Sequence, residues 1–194
     1  MTASAEFTGY DMSVADAYEV TVSYNGKTTT YDITVSAVQG GGDGNIEYVL
    51  LFGPDYNSKS VSSYTDTWAA TNNGFTCSLA NWNNNSNGWN FVKAGRRNYD
   101  SVATITTSDV VSEALTTVTM TVDAVTVSKI NSLKLYVSTD PNFSTKDTYT
   151  ATPATGDVVF DITNPVENAY YKIEVDCVAG SNGLITVSKV VYAN

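Results

Sequence analysis

The sequence predicts an all-β protein in two parts, a small N-terminal hairpin unit and a larger antiparallel β-sandwich of the jelly-roll kind, on three observations. Thr, Ser, Val, Asn and Tyr are abundant across the 194 residues while Glu, Lys and Leu are sparse, the balance of half-buried pleated surfaces joined by polar turns. Short runs of alternating apolar and polar residues recur every ten to fifteen positions, bounded by Asn, Gly, Asp, Ser and Pro. No crossover helix separates them, which favours antiparallel sheets over a parallel one.

The first organised unit, residues 1–38, is built on a hairpin. Tyr18, Val20 and Val22 alternate with Glu19, Thr21 and Ser23, and Tyr31, Ile33 and Val35 alternate on the return. Asn25-Gly26 between them supplies the two positive-φ residues of a type I′ turn. That turn sets Val20 opposite Tyr31 and Tyr18 opposite Ile33, so one face is apolar. A short strand around Ala5 to Phe7 precedes it. An isolated hairpin is marginal in water, so the face carrying Tyr18, Val20, Val22, Tyr31, Ile33 and Val35 needs a cover, and self-association or a capsid or fibre partner at this face is expected. Gln39 to Asn45 holds four glycines in seven residues and reads as a flexible linker, residues 39–45.

Residues 46–194 read as one larger β unit with enough strands to make both faces of a sandwich. Val118, Met120 and Val122 point one way and Thr117, Thr119 and Thr121 the other; Leu133, Leu135 and Val137 behave alike, as do Val158, Phe160 and Ile162. Tyr171, Ile173, Val175 and Cys177 form a further inward set, and Ile185 and Val187 begin the last strand, whose phase slips near Ser188-Lys189 as at a bulge. Asn73-Gly74, Asn87-Gly88 and Asn182-Gly183 read as further hairpin turns. Asp109 to Leu115 is the one stretch expected to form a helical turn, and Trp89 is expected in the core.

Phe7-Thr8-Gly9-Tyr10-Asp11, Tyr18-Glu19-Val20-Thr21-Val22-Ser23-Tyr24 and Lys27-Thr28 resemble the closing half of bacterial Ig-like repeats of the third group, which decorate surface proteins. The likeness covers about Ala5 to Val35 and lacks the opening strands of such a repeat. In the second unit, Trp89-Asn90-Phe91, Ser101 to Thr107, Leu133 to Val137, and Tyr170 to Ile173 with Ser188-Lys189-Val190 resemble a galactose-binding-like jelly-roll module. Such modules recur in surface proteins and in fibre or decoration proteins of gut bacteria and their phages. The two resemblances together imply an incomplete Ig-like unit followed by a jelly roll, with work on a virion surface or otherwise outside the cell.

Charge and composition exclude several functions. Ten basic against twenty acidic residues leave a net charge of −10, which repels phosphate backbones and anionic headgroups, so neither nucleic acid nor membrane is an expected partner. There is no histidine, which removes Ser-His-Asp, Cys-His and His-metal chemistry. Cys77 and Cys177 both fall in phase with apolar neighbours and should face inward, as free thiols or as a bridge. Among carboxylates, Asp157 and Asp161 flank one strand and Asp123 and Asp140 sit at strand ends, but no spacing selects a glycosidase pair. No cofactor is expected; a structural calcium would have to use Asp43, Asp55, Asp66 and Asp140, which lack an EF-hand spacing. Met1 is followed by Thr2-Ala3-Ser4-Ala5 rather than by a charged and apolar leader, so no export signal is expected.

The local exception lies between Thr67 and Tyr99, a stretch without an acidic residue that holds Trp68, Trp82, Trp89 and both arginines, Arg96 and Arg97. Asn81, Asn83, Asn84, Asn85, Asn87 and Asn90 fill the same stretch. Flat aromatic faces for C–H contacts, with amides and guanidinium groups for hydroxyls, are the parts of a saccharide site. Trp68, Trp82, Asn83, Asn84, Asn85, Arg96, Arg97 and Tyr99 are therefore the candidate ligand-binding residues, against the plainer reading that tryptophans on strands are core and Asn-rich loops are turns. The functional expectation is a non-enzymatic virion accessory protein, a head-decoration or fibre subunit that attaches to host or mucus glycans. The alternative is a carbohydrate-binding or adhesion module excised from a longer secreted surface protein.

Overall fold

In the computed structural model of the chain, residues 6–9, 16–35, 46–53, 56, 61–84 and 90–194 are described. The chain divides into two compact units, Met1–Gly40 and Gly41–Asn194. The linker residues 39–45, the Asn87-Gly88 turn, Trp89 and Asn85 lie outside the described residues.

The first unit is a three-stranded antiparallel sheet of Glu6–Thr8 (β1), Asp16–Tyr24 (β2) and Lys27–Val35 (β3), in that order. Tyr18 pairs with Ile33 and Val20 with Tyr31, the register that the turn at Asn25-Gly26 requires. Asn25 (φ 49°) and Gly26 (φ 74°) both occupy the left-handed region. On the apolar face Val20 is 1% exposed and Tyr31 45%, while Tyr18, Val22 and Ile33 are half-buried; the Val35 side chain is outside the description. Of the face that was expected to need a cover, Val20 is buried and Tyr31 is exposed.

The second unit is a sandwich. Its strands are Glu47–Leu51 (β4), Thr67–Asn72 (β5), Phe75–Ala80 (β6), Val92–Ala94 (β7), Ser101–Thr107 (β8), Thr117–Val125 (β9), Ile130–Ser138 (β10), Asp147–Ala151 (β11), Gly156–Asp161 (β12), Tyr170–Cys177 (β13) and Ile185–Ala193 (β14). One sheet runs β11-β10-β13-β8-β6-β5 and the other β12-β9-β14-β4, with β7 on the same side of β14 as β4. Three antiparallel pairs nest inside one another in the chain: β8 with β13, β9 with β12, and β10 with β11. The outer and inner pairs lie in one sheet and the middle pair in the other, which is the wrapping that defines a jelly roll.

The alternation of each strand turns into rows across the sheets. Trp68, Leu79, Ile105, Ile173, Leu135 and Tyr149 are successive partners across the six-stranded sheet. Val158, Met120, Val190 and Leu50 do the same across the other. The interior members of these rows are 0% exposed, and each full burial is worth about 1.5–3 kcal/mol. In β14 the buried set changes phase from Ile185 and Val187 to Val190 and Tyr192, because the register shifts between Val187 and Lys189. The freed Ser188 carbonyl accepts the Phe52 N–H at 3.2 Å.

Several local expectations meet the structure here. Asn73 (φ 47°) and Gly74 (φ 82°) make the tight turn joining β5 to β6. Asn182-Gly183 does not close a hairpin, since β13 and β14 belong to opposite sheets and the loop between them crosses the sandwich. Asp109 to Leu115 is not helical: Val111 exchanges two backbone hydrogen bonds with Ala169, as suits a β-branched residue in extended backbone. A 3₁₀ turn sits instead at Val127–Lys129. Cys77 and Cys177 are both buried and free.

Burial pushes the Cys77 and Cys177 thiols up to about 12 from 9.0. The Tyr48 and Tyr136 hydroxyls rise to about 12 from 10.0, first through burial and then through hydrogen bonds to Glu113 and Glu174. All four groups hold their protons longer folded than unfolded, so their contribution is complete below about pH 9 and is lost as pH rises toward 12. Denaturation midpoints measured across that window should fall steadily; a flat profile would show that these groups titrate alike in both states.

Residues 46–194 contain both sheets and the whole jelly-roll core, so this fragment should be soluble and melt cooperatively. The same preparations test the cover of the hairpin: the full chain should sediment as an oligomer and the fragment as a monomer. A monomeric full chain with strongly exchange-protected hairpin amides would mean that the cover is intramolecular.

Candidate functional site

The pairing of β7 with β14 places the loop after β7 beside the loop before β14. Ala94 is the partner of Ile185, and the backbone hydrogen bonds continue outward: Leu184 N–H to Ala94 O (2.7 Å), Gly183 N–H to Gly95 O (3.0 Å) and Gly180 N–H to Arg96 O (3.2 Å). Gly95 makes this approach possible. Its φ is +99°, and a Cβ there would lie 2.7 Å from Cβ and Cγ of Leu184. The chain then turns tightly through Asn98 (φ 67°), so that Arg96 bridges to Tyr99.

This turn forms one wall of a cleft of about 310 Å³, lined by Arg96, Arg97 and Tyr99 on one side, Asn182 on a second, and Ser63, Tyr64 and Thr65 on a third. That is the lower end of the size range of small-ligand sites. The Arg96 guanidinium lies 4.7 Å from the centre of the Tyr99 ring. Asn182 Oδ1 accepts the Arg97 N–H at 2.7 Å, locking the two loops together. Ser63 Oγ accepts the Thr65 N–H at 3.0 Å and lies 2.8 Å from Thr65 Oγ1, a local turn that presents Tyr64. The Tyr64 hydroxyl is pushed above its ordinary value by burial. Tyr99 is 61% exposed, with Arg96 over its ring.

The candidate residues separate into two groups. Arg96, Arg97 and Tyr99 line the cleft. Trp68, Trp82, Asn83 and Asn84 do not: Trp68 is 3% exposed, Trp82 and Asn84 0%, and Asn83 4%, which corrects their assignment as ligand contacts. The reason is structural. Asn84 exchanges backbone hydrogen bonds with Val61, Asn83 exchanges them with Lys93, and Lys93 pairs with Thr186, so the Asn-rich segment extends the sheet of β14 and β7 outward. Asn83 Nδ2 also donates to Ser62 O at 2.7 Å, and Trp68 Nε1 donates to Trp82 O at 2.9 Å. These residues hold the segment that carries Tyr64. Asn182, Ser63, Tyr64 and Thr65 were not distinguishable from turn material in the sequence; only the pairing of β7 with β14 brings them together.

A second cleft of about 420 Å³ lies at the β14 bulge, between Leu51, Phe52 and Tyr56 on one side and Thr121, Ser188 and Lys189 on the other, with Asn90 at its rim. Its lining is half apolar and holds a single cation, Lys189. Among the described residues no group of three or more Cys, Asp or Glu is placed to hold a metal ion. Asp140, one of the calcium candidates, instead accepts the N–H groups of Asn142 and Ser144 at 3.0 Å, which lowers its carboxyl below the usual range and closes the loop after β10. Asp66 is exposed, and Asp43 and Asp55 lie outside the described residues. Asp157 accepts the Thr121 hydroxyl at 2.6 Å across a strand pair.

Residues 2–35 match the family described as Bacterial Ig-like domain (group 3), in agreement with the resemblance carried by Phe7 to Tyr24. No curated protein matches the chain. Among solved structures, one reported for the promiscuous specificity of carbohydrate-binding modules from the beta-sandwich super family aligns with 93% of this chain and 72% of its own, at 11% identity and a TM-score of 0.37. A likeness at that level does not establish a shared fold or ligand.

Proposed function

We propose that the chain is a non-catalytic saccharide-binding display protein that works outside the cell, with the cleft between Tyr64, Arg96, Arg97, Tyr99 and Asn182 as its binding site. The observation that carries this reading is the composition of the cleft: two aromatic rings, two guanidinium groups, an amide and two hydroxyl side chains converge on one space. Ring faces suit the C–H faces of a sugar, and the remaining groups supply donors and acceptors for its hydroxyls. No carboxylate lines the cleft among the described residues, so it lacks the acid pair of a glycosidase, and the sequence has no histidine to serve as a base. The Ig-like match at residues 2–35 supports display on a surface. Attachment of a virion to host or mucus glycans, as a head-decoration or fibre subunit, and adhesion by a bacterial surface protein would use the same site chemistry.

Tyr99→Ala and Arg97→Ala should each weaken retention on the saccharides that the parent protein binds in an array by about tenfold, the weight of one stacking contact or one charge-assisted hydrogen bond. Both side chains are exposed, so the melting temperature should stay within a degree or two of the parent. Unchanged retention by both variants would move the site elsewhere, and absence of retention by the parent would remove the saccharide reading.

A further inference from the structure

Resting on that reading, we propose that the saccharide this cleft selects is acidic, carrying a carboxylate or sulfate group that the Arg96–Arg97 turn receives. The chain has only these two arginines, in a protein of net charge −10, and both line one cleft. Every other lining residue is neutral, so two cations stand side by side with no counter-charge in the lining. Neither arginine forms an ion pair among the described residues. Arg96 is partly occupied by its stacking on Tyr99, whereas Arg97 is held through its backbone N–H and keeps its guanidinium fork available.

Two lysine stems flank the same loop. A Cβ at Gly180 would lie 3.6 Å from the Lys129 stem and one at Gly183 2.9 Å from the Lys93 stem, so both lysines pack against the loop that carries Asn182. Two carboxylates adjoin lining residues in the chain: Asp66 follows Thr65, and Asp100 follows Tyr99 with one oxygen engaged by the Ala179 N–H at 2.8 Å. Two adjacent guanidinium groups repel each other, and an anion between them turns that cost into attraction in a partly desolvated site. A planar fork also matches paired anionic oxygens in geometry, which a neutral sugar hydroxyl does not exploit.

The test uses the full chain against matched probes: trigalacturonic acid and its full methyl ester, sialyllactose and lactose, and 6′-sulfolactose and lactose. At least one acidic probe should bind about tenfold or more tighter than its neutral partner, with an affinity that falls as ionic strength rises. Arg97→Gln should remove most of that preference, and Arg97→Lys should restore part of it. Preference for the uronate or sialyl probes alone identifies a carboxylate, and for the sulfolactose probe alone a sulfate. Equal binding of acidic and neutral partners, with Arg97→Gln without effect, would overturn the acidic specificity and leave the saccharide site standing. Failure of every probe, and of a wider neutral array, would take both down.

Discussion

Trp82→Ala should destabilise the protein by about 3–5 kcal/mol, the cost of deleting a large buried aromatic side chain. The indole is 0% exposed, and the residue is also part of a backbone scaffold: its carbonyl accepts Trp68 Nε1 at 2.9 Å, and its neighbours Asn83 and Asn84 carry the ladder to Lys93 and Val61. Losing the ring therefore loosens the segment that presents Tyr64 as well as opening a cavity. Trp82→Phe should cost less, since it keeps most of the volume and removes an Nε1 donor that has no hydrogen-bond partner among the described residues. Equilibrium denaturation of the three proteins measures both effects. A wild-type midpoint for Trp82→Ala, combined with lost saccharide retention, would instead make the indole a ligand contact.

Gly95→Ala should cost roughly 2–6 kcal/mol and abolish binding at the cleft. Two penalties add: a non-glycine residue held at positive φ costs about 1–3 kcal/mol, and forcing a methyl group into packed surroundings about 1–3 kcal/mol more. At Gly95 the φ is +99° and the new Cβ would meet Cβ, Cγ and Cδ1 of Leu184 at 2.7 to 2.8 Å. Leu184 is 2% exposed and packed in the core, so it has little room to yield. Gly74→Ala is the control, because its φ is +82° but nothing lies within 4 Å of the added Cβ. It should carry only the backbone term, about 1–2 kcal/mol. Similar losses for the two variants would mean that the loops after β7 and before β14 do not pack as closely as their hydrogen bonds indicate.

Most of the fold was legible because strand alternation is a local signal. The inward sets of β9, β10, β12 and β13, the registers set by Asn25-Gly26 and Asn73-Gly74, and the slip at Ser188 each follow from a few consecutive residues. Sheet membership was not local. Asn182-Gly183 carries the residue types of a hairpin turn, yet its flanking strands lie in opposite sheets, a fact fixed by long-range pairing of β13 with β8 and β10 and of β14 with β9. The candidate site divided along the same line. Arg96, Arg97 and Tyr99 stood out as cations and an aromatic in an acid-free stretch, and they reach the cleft because a tight turn exposes them. Trp68 and Trp82 stood out equally, but alternation within Thr67–Asn72 already placed Trp68 in phase with Ala70, and both are buried. Tyr64 and Asn182 carried no signal, because Asn182 meets Arg97 across 85 positions of the chain and Tyr64 reaches the same cleft from the segment before β5.

Amide shift mapping by NMR is the sharpest test of saccharide binding at the cleft between the loops after β7 and before β14. Titrating the best-retained array saccharide into isotope-labelled protein should move the amides of residues 63–65, 95–99 and 180–183 together, with one shared affinity, and leave the outer face of β10 and β13 unchanged. Shifts confined to that sheet face or to the bulge at Ser188, with the amides of Arg96, Arg97 and Tyr99 still, would contradict it.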